Sequence, residues 1–176
     1  MKLRCIGLLN VENSKTAELL IEKGASVNAL TTDNETPLHR AAQSENSKTA
    51  ELLIEKGASV NAVNALTTNN ETPLHWAAQR ENSKTAELLI EKGASVNALT
   101  TDNETPLHRA AQRENSKTAE LLIEKGASVN ALTTDNQTPL HWAAQRGNSK
   151  TAELLIEKGA SVNALTTDNE TPLLRN

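Results

Sequence analysis

Thr36-Pro37-Leu38-His39 is the first of four copies of one tetrapeptide in this chain. The other copies begin at Thr72, Thr105 and Thr138, and a variant that ends in Leu begins at Thr171. The intervals are 36, 33, 33 and 33 residues. Five glycines follow the same intervals, so two independent markers give one period: Gly24, Gly57, Gly93, Gly126 and Gly159. A period near 33 residues predicts a solenoid of stacked repeats.

Residues 101–133 show how one repeat is expected to fold. The Thr-Pro pair suits a helix N-cap and the first helical position, and the apolar residues after it have helical spacing. A second helix is predicted from about Ser116 to Lys125, where Gly126 supplies a left-handed C-cap. The polar residues that follow predict an extended turn. Because helices of about ten residues are marginal alone, stability must come from stacked neighbours.

Length and composition favour a folded chain with a core of small side chains. The chain has 176 residues, a net charge of -4, 37% hydrophobic residues and neither Phe nor Tyr, so Leu, Ala, Ile and Val must form the core. Its single cysteine, Cys5, cannot form an internal disulfide, which fits a reducing compartment, and we expect it to be a small buried side chain.

The sequence contains neither a secretory signal nor a membrane helix that we can recognise. The apolar run within residues 1–9 is too short for a signal peptide, and no stretch approaches the roughly 20 apolar residues of a membrane helix. We therefore expect a cytoplasmic or nuclear location.

The repeated motif resembles the ankyrin repeat. It reads Asp-Asn-Glu-Thr-Pro-Leu-His-x-Ala-Ala, followed by Ala-Glu-Leu-Leu-Ile-Glu-Lys-Gly-Ala-Ser-Val-Asn-Ala, at that family's own period. The resemblance covers nearly the whole chain. It implies an all-α solenoid of stacked antiparallel helix pairs with projecting β-turn fingers. It also implies a concave groove between the fingers and the first helix of each pair, the A helix; the second is the B helix.

Two positions depart from the family pattern. The family usually has Gly between its two helices, where this chain has Glu45, Glu81 and Glu114, and only Gly147 matches. A non-Gly residue in the left-handed conformation is strained by about 1 kcal/mol. Either these units are weakened, or the adjacent Asn takes that conformation. Where the family often has a finger glycine, this chain has Asn, which tolerates a positive φ: Asn34, Asn70, Asn103 and Asn136.

We expect a single ankyrin-repeat domain over residues 1–176. It is predicted to hold a degenerate N-terminal unit, four repeats and a truncated C-terminal unit: 1–31, 32–67, 68–100, 101–133, 134–166 and 167–176. The first full repeat ends in a three-residue insertion after a helix that ends near Lys56. Because insertions in surface loops cost little, we expect a bulged finger there and an undisturbed helix stack.

The two end units differ from the repeats between them. The N-terminal unit is expected to act as a cap, whereas the last helix pair lacks a complete polar capping unit. Two interpretations stay open: the chain is a fragment of a longer array, or it associates through its C-terminal end.

No group of polar residues predicts catalysis, a metal or a cofactor. The four histidines recur at one position of successive repeats, about 8–10 Å apart, whereas each ligand of one zinc ion lies about 2.0–2.1 Å from it. We expect buried, neutral imidazoles that bond to a neighbouring turn. Ser, Thr, Asp and Glu also form rows, which cannot converge on one substrate atom. We therefore expect no enzyme.

The resemblance places the partner-binding residues in the groove. In this chain the finger row is mainly acidic, and the helix row is mainly basic with two tryptophans. The finger residues are Asp33, Glu35, Glu71, Asp102, Glu104, Asp135 and Gln137, and the helix residues are Arg40, Trp76, Arg80, Arg109, Arg113, Trp142 and Arg146. Trp and Arg are enriched at interface hot spots. The alternative is that both tryptophans pack against adjacent A helices and that the two rows pair with each other as weak ion pairs.

The predicted function is binding of an unidentified protein or peptide by a scaffold or adaptor. The alternative is a non-catalytic recognition segment of a larger enzymatic or signalling protein. Nucleic-acid binding ranks third, because the acidic fingers and a pI near 5.6 oppose the basic surface that it requires. No small-molecule substrate, cofactor or membrane partner is expected.

Overall fold

The computed structural model describes residues 14–44, 46–62 and 69–173. In this part of the chain the regular structure consists of α-helices joined by turns, and the predicted all-α solenoid is confirmed. The A helices are α2 (Pro37–Gln43), α4 (Pro73–Gln79), α6 (Pro106–Gln112) and α8 (Pro139–Gln145). The B helices are α1 (Ser14–Glu22), α3 (Ser47–Glu55), α5 (Ser83–Glu91), α7 (Ser116–Glu124) and α9 (Ser149–Glu157).

Local capping residues set the ends of each helix. Pro106 is the first residue of α6, after the N-cap Thr105, as predicted. Helix α7 ends one residue earlier than predicted, and Gly126 follows its C-cap with φ +91°. The N–H of Gly126 donates to the Ile123 carbonyl at 3.0 Å, and the next N–H donates to the Leu122 carbonyl at 2.9 Å. These two bonds form a Schellman motif, which needs the left-handed glycine.

The core is a stack of small aliphatic side chains. Each A helix packs on the next A helix and each B helix on the next B helix. In the repeat at 101–133 the fully buried apolar residues are Leu107, Ala110, Ala111, Ala119 and Leu122. Alanine lets the helices approach closely, so each repeat buries its apolar surface against its neighbours, as a solenoid requires.

The residue between the two helices adopts the left-handed conformation even where it is glutamate. Glu81 and Glu114 both have φ +59°, and Gly147 has φ +69°. The adjacent Asn115 has φ -83°, so the alternative in which Asn takes this conformation is wrong for the described repeats. The predicted finger asparagines do have positive φ, from 56° to 58°.

Asn115 keeps its own conformation because its side chain joins two repeats. Its side-chain oxygen accepts from the N–H of Thr118 at 3.2 Å and caps α7. Its Nδ2 donates to the carbonyl of Ala78, in the preceding A helix, at 3.1 Å. Asn82 likewise caps α5 and donates to the carbonyls of Ser44 and Ala42, and Asn148 donates to the carbonyl of Ala111.

The helix stack continues past the three-residue insertion, as predicted. Helix α2 packs on α4 and α3 on α5. The side chain of Asn61 donates to the Gly93 carbonyl at 2.7 Å, as its counterpart Asn97 does to Gly126 at 3.0 Å. The predicted bulge at 63–65, the predicted cap and Cys5 lie outside the described residues, as does Glu45. Among the described helices, none combines the length and the apolar character that crossing a membrane requires.

Candidate partner-binding groove

Each finger is a tight hairpin closed by a left-handed asparagine. In the finger at 100–104, the N–H of Asn103 donates to the Thr100 carbonyl at 3.1 Å, and the N–H of Thr100 donates to the Glu104 carbonyl at 3.0 Å. A turn followed by a left-handed residue matches the three-residue hairpin loop. The Thr100 hydroxyl also accepts from the N–H of Glu104 at 3.0 Å. Asp102 is left exposed at the tip.

Backbone hydrogen bonds join neighbouring fingers. The N–H of Thr134 donates to the Asp102 carbonyl at 2.9 Å, and Thr101 makes the equivalent bond to Asn69 at 3.0 Å. Thr167 bonds to Asp135 in the same way at 3.0 Å. This last finger, with Asp168 exposed at its tip, is missing from the predicted site. The variant tetrapeptide at Thr171 was the signal for it, since a finger precedes the copies at Thr36, Thr105 and Thr138.

The histidines anchor each finger to the preceding A helix. The Nδ1 of His75 accepts from the backbone N–H of Thr72 at 3.1 Å, so this nitrogen carries no proton. Its Nε2 therefore donates to the Glu104 carbonyl, at 3.1 Å, in the next finger. His39, His108 and His141 make equivalent pairs of bonds. The predicted bond to a neighbouring turn is confirmed, and both ring nitrogens are occupied.

Burial keeps the imidazoles neutral. Desolvation lowers the pKa of His39, His75 and His108 from 6.5 to about 4, because a buried cation loses its hydration. The carbonyl that accepts from each Nε2 opposes this shift. The interpretation of the histidines as structural groups is thus supported by their burial and by their hydrogen bonds.

Charged residues of the two predicted rows pair with each other. Arg109 Nη2 lies 2.6 Å from a carboxylate oxygen of Glu104 and 2.6 Å from one of Glu71. Arg40 forms a similar pair with Glu35, at 2.5 Å. Burial raises the pKa of Glu35 and Glu104, although the arginine beside each lowers it. The Arg109 side chain is only 15% exposed, so its pairs are better shielded from water than surface ion pairs.

Both tryptophans pack against the preceding A helix. Trp142 lies edge-on to His108, with ring centroids 5.5 Å apart, and the Arg109 guanidinium is 6.0 Å from its ring. Its Nε1 donates to Gln137 at 2.7 Å. Trp76 repeats this arrangement with His39, Arg40 and Glu71. These contacts agree with the alternative in which both tryptophans pack against adjacent A helices. Each ring is therefore held in place by residues of this chain.

The predicted site therefore divides into a floor and two rims. The floor is defined as the residues that form ion pairs or side-chain hydrogen bonds with one another: Glu35, Arg40, Glu71, Trp76, Glu104, Arg109, Gln137 and Trp142. The acidic rim is the exposed fingertips Asp33, Asp102 and Asp135, and the basic rim is the exposed Arg80, Arg113 and Arg146 at the ends of the A helices. Within the described residues, no ion pair involves a rim side chain.

Comparison with protein families identifies the class of protein. Residues 8–64 and 62–135 match the family described as ankyrin repeats (3 copies), and residues 135–167 match the single ankyrin repeat. These matches cover most of the chain, which therefore belongs to the ankyrin repeat family. Ankyrin repeats are generally protein–protein interaction modules and are typically non-catalytic. A search of curated proteins returned no match.

Proposed function

We propose that the chain is a scaffold or adaptor that holds a partner protein in the concave groove. One observation carries this proposal: the groove floor is bonded within the array, while an acidic rim and a basic rim are left exposed. The floor keeps the rims at fixed positions, so the array loses little conformational freedom on binding. A partner surface that carries both signs of charge would complement the rims. The same groove would serve equally as the recognition segment of a larger protein.

The basic rim can be tested with a matched control outside the predicted site. Changing Arg80, Arg113 and Arg146 to Ala removes three positive charges from the groove. Changing Lys84, Lys117 and Lys150 to Ala removes three from the exposed start of the B helices. Each array is used as bait, and the captured proteins are quantified by mass spectrometry. We expect the arginine variant to lose a partner that the lysine variant retains. Equal losses from both variants would contradict a groove site.

Association through the C-terminal end is a second proposal. Ile156 and Val162 are 49% and 48% exposed, whereas their counterparts Ile123 and Val129 are partly buried against the core. Sedimentation velocity would show a concentration-dependent dimer, and Ile156→Lys should return it to monomer. A wild-type chain that stays monomeric at all concentrations would rule this association out.

A further inference from the structure

Half-exposed leucines recur at the base of the fingers, and we call them the leucine row. Leu30, Leu99, Leu132 and Leu165 are 47%, 53%, 50% and 52% exposed. Each directly precedes the threonine that opens a finger hairpin. Single exposed leucines are ordinary, but Leu99, Leu132 and Leu165 belong to three successive repeats, and an apolar row with a polar border is typical of an interaction surface. The predicted site contained none of these residues.

The helix stack sets the spacing of this row. Thr134 bonds to Asp102 and Thr167 bonds to Asp135, so Leu99, Leu132 and Leu165 stand at equivalent places on adjoining fingers. Each finger belongs to one repeat, so neighbouring leucines are spaced by the packing distance of neighbouring helices, about 8–10 Å.

An α-helix has apolar residues at this spacing when its sequence repeats every seven residues. Residues seven positions apart are separated by about 10.5 Å along the helix axis, and residues three or four positions apart by about 5 Å. A helix with apolar residues at both positions would therefore place side chains over the leucines and between them. A polyproline II segment rises about 9 Å per turn but has no side chain on the same face between turns. The leucine row thus fits the helix better.

The acidic rim indicates the charge of that helix. Asp33, Asp102 and Asp135 of the acidic rim, and Asp168 on the last fingertip, are exposed and follow the leucines of the row by three residues. Basic residues along one flank of a bound helix would lie near these carboxylates, and acidic residues there would be repelled.

We propose that the partner segment is an amphipathic α-helix with a seven-residue apolar repeat and a basic flank, and that it docks on the leucine row. This inference rests on the proposed function and specifies the partner's chemistry. It concerns the leucines and the acidic rim, whereas the scaffold proposal was tested through the basic rim.

The test uses three synthetic helical peptides of about 25 residues and measures their affinity by calorimetry. The first has the seven-residue apolar repeat with a Lys flank. The second has Glu in place of Lys, and the third has the same residues as the first in an order without the seven-residue apolar repeat. We expect the first peptide to bind at least about tenfold more tightly than either control, a difference of about 1.4 kcal/mol. Equal affinities for the first and third peptides would contradict the proposal that the bound helix has a seven-residue apolar repeat.

Variants of the array provide the second arm. Changing Leu99, Leu132 and Leu165 to Ser should lower the affinity of the Lys peptide at least about tenfold while the melting temperature stays close to wild type, because these side chains are half exposed. If the leucine variant binds the Lys peptide as well as wild type does, the inference is wrong. If in addition the arginine variant loses a natural partner that the leucine variant retains, only the scaffold proposal survives.

Discussion

A buried hydroxyl without a hydrogen-bond partner recurs in the B helices. Thr49, Thr85, Thr118 and Thr151 are at most 1% exposed, and their Oγ1 atoms bond to none of the described residues. Burying an unpaired hydroxyl costs on the order of 1 kcal/mol or more. These threonines are a local weakness that each copy of the repeat carries.

Valine at one of these positions should stabilise the array. Thr118→Val keeps the side-chain shape and removes the unpaired hydroxyl, so we expect the free energy of unfolding to rise by about 1 kcal/mol in urea titrations. Helix propensity does not confound this change, because Thr and Val are nearly equal. Thr134→Val, at an exposed fingertip, is the control and should change stability little. A decrease for Thr118→Val would show that the hydroxyl is satisfied.

The left-handed glutamates allow a reciprocal experiment. Glu114 has φ +59° and its counterpart Gly147 has φ +69°, and a Cβ at Gly147 would meet no atom within 4 Å. Backbone conformation is therefore the main difference between the two sites. Glu114→Gly should stabilise the protein and Gly147→Glu should destabilise it, each by up to about 1 kcal/mol after the greater freedom of unfolded glycine is counted. Thermal and urea unfolding measure both changes, and shifts of the same sign would exclude this explanation.

At the scale of elements, the histidines link each A helix to the next finger, and this link depends on pH. The folded pKa of His39, His75 and His108 is about 4, below the usual 6.5. As the pH falls below about 6.5, the unfolded chain binds protons that the folded chain does not bind until about pH 4. The contribution of the neutral histidines to the free energy of unfolding is therefore fully present above about pH 6.5 and is lost progressively as the pH falls towards about 4. The raised pKa values of Glu35 and Glu104 act in the opposite direction.

Urea unfolding at pH 7.5 and pH 5.5 should show this loss. We expect each of the three histidines to contribute on the order of 1 kcal/mol to the difference in unfolding free energy. In His75→Gln the amide can still donate to the Glu104 carbonyl but cannot take up a proton. The variant should therefore have a shallower pH dependence than wild type. Identical slopes would show that His75 does not titrate on unfolding.

At the scale of the whole molecule, asparagine side chains join successive repeats. Asn130 donates to the Gly159 carbonyl at 3.0 Å and accepts from the N–H of Ser161 at 2.8 Å. Asn28, Asn61 and Asn97 make the same pair of bonds. The equivalent Asn163 has no bond of this kind to a described residue. In a solenoid such contacts between neighbours determine how cooperatively the repeats unfold.

Asn163 is therefore a matched control for Asn130. Asn130→Ala removes two inter-repeat hydrogen bonds and should cost about 1–2 kcal/mol, since each is exposed and worth about 0.5–1.5 kcal/mol. It should also broaden the unfolding transition as the last repeat separates. Asn163→Ala should leave both the midpoint and the width unchanged. The interpretation fails if the two substitutions have equal effects in calorimetry.

The sequence by itself determined the repeat, the helix positions and the fold. These features depend on interactions within about ten residues of one another, such as the Thr-Pro helix start, the left-handed Gly126 and the apolar spacing of α7. Each such signal is repeated in every unit, so the period confirms the local assignment.

Only the tertiary structure decided which charged residues of the predicted site form ion pairs and which are exposed. The Glu71–Arg109 pair joins fingers and helices of different repeats, and such a contact exists only after the units have stacked. Stacking also determined that Glu114 is left-handed, because Asn115 must both cap α7 and reach the Ala78 carbonyl. The leucine row is likewise defined by hydrogen bonds between fingers. Contacts between repeats depend on how the units stack. The sequence of a single repeat does not contain that information.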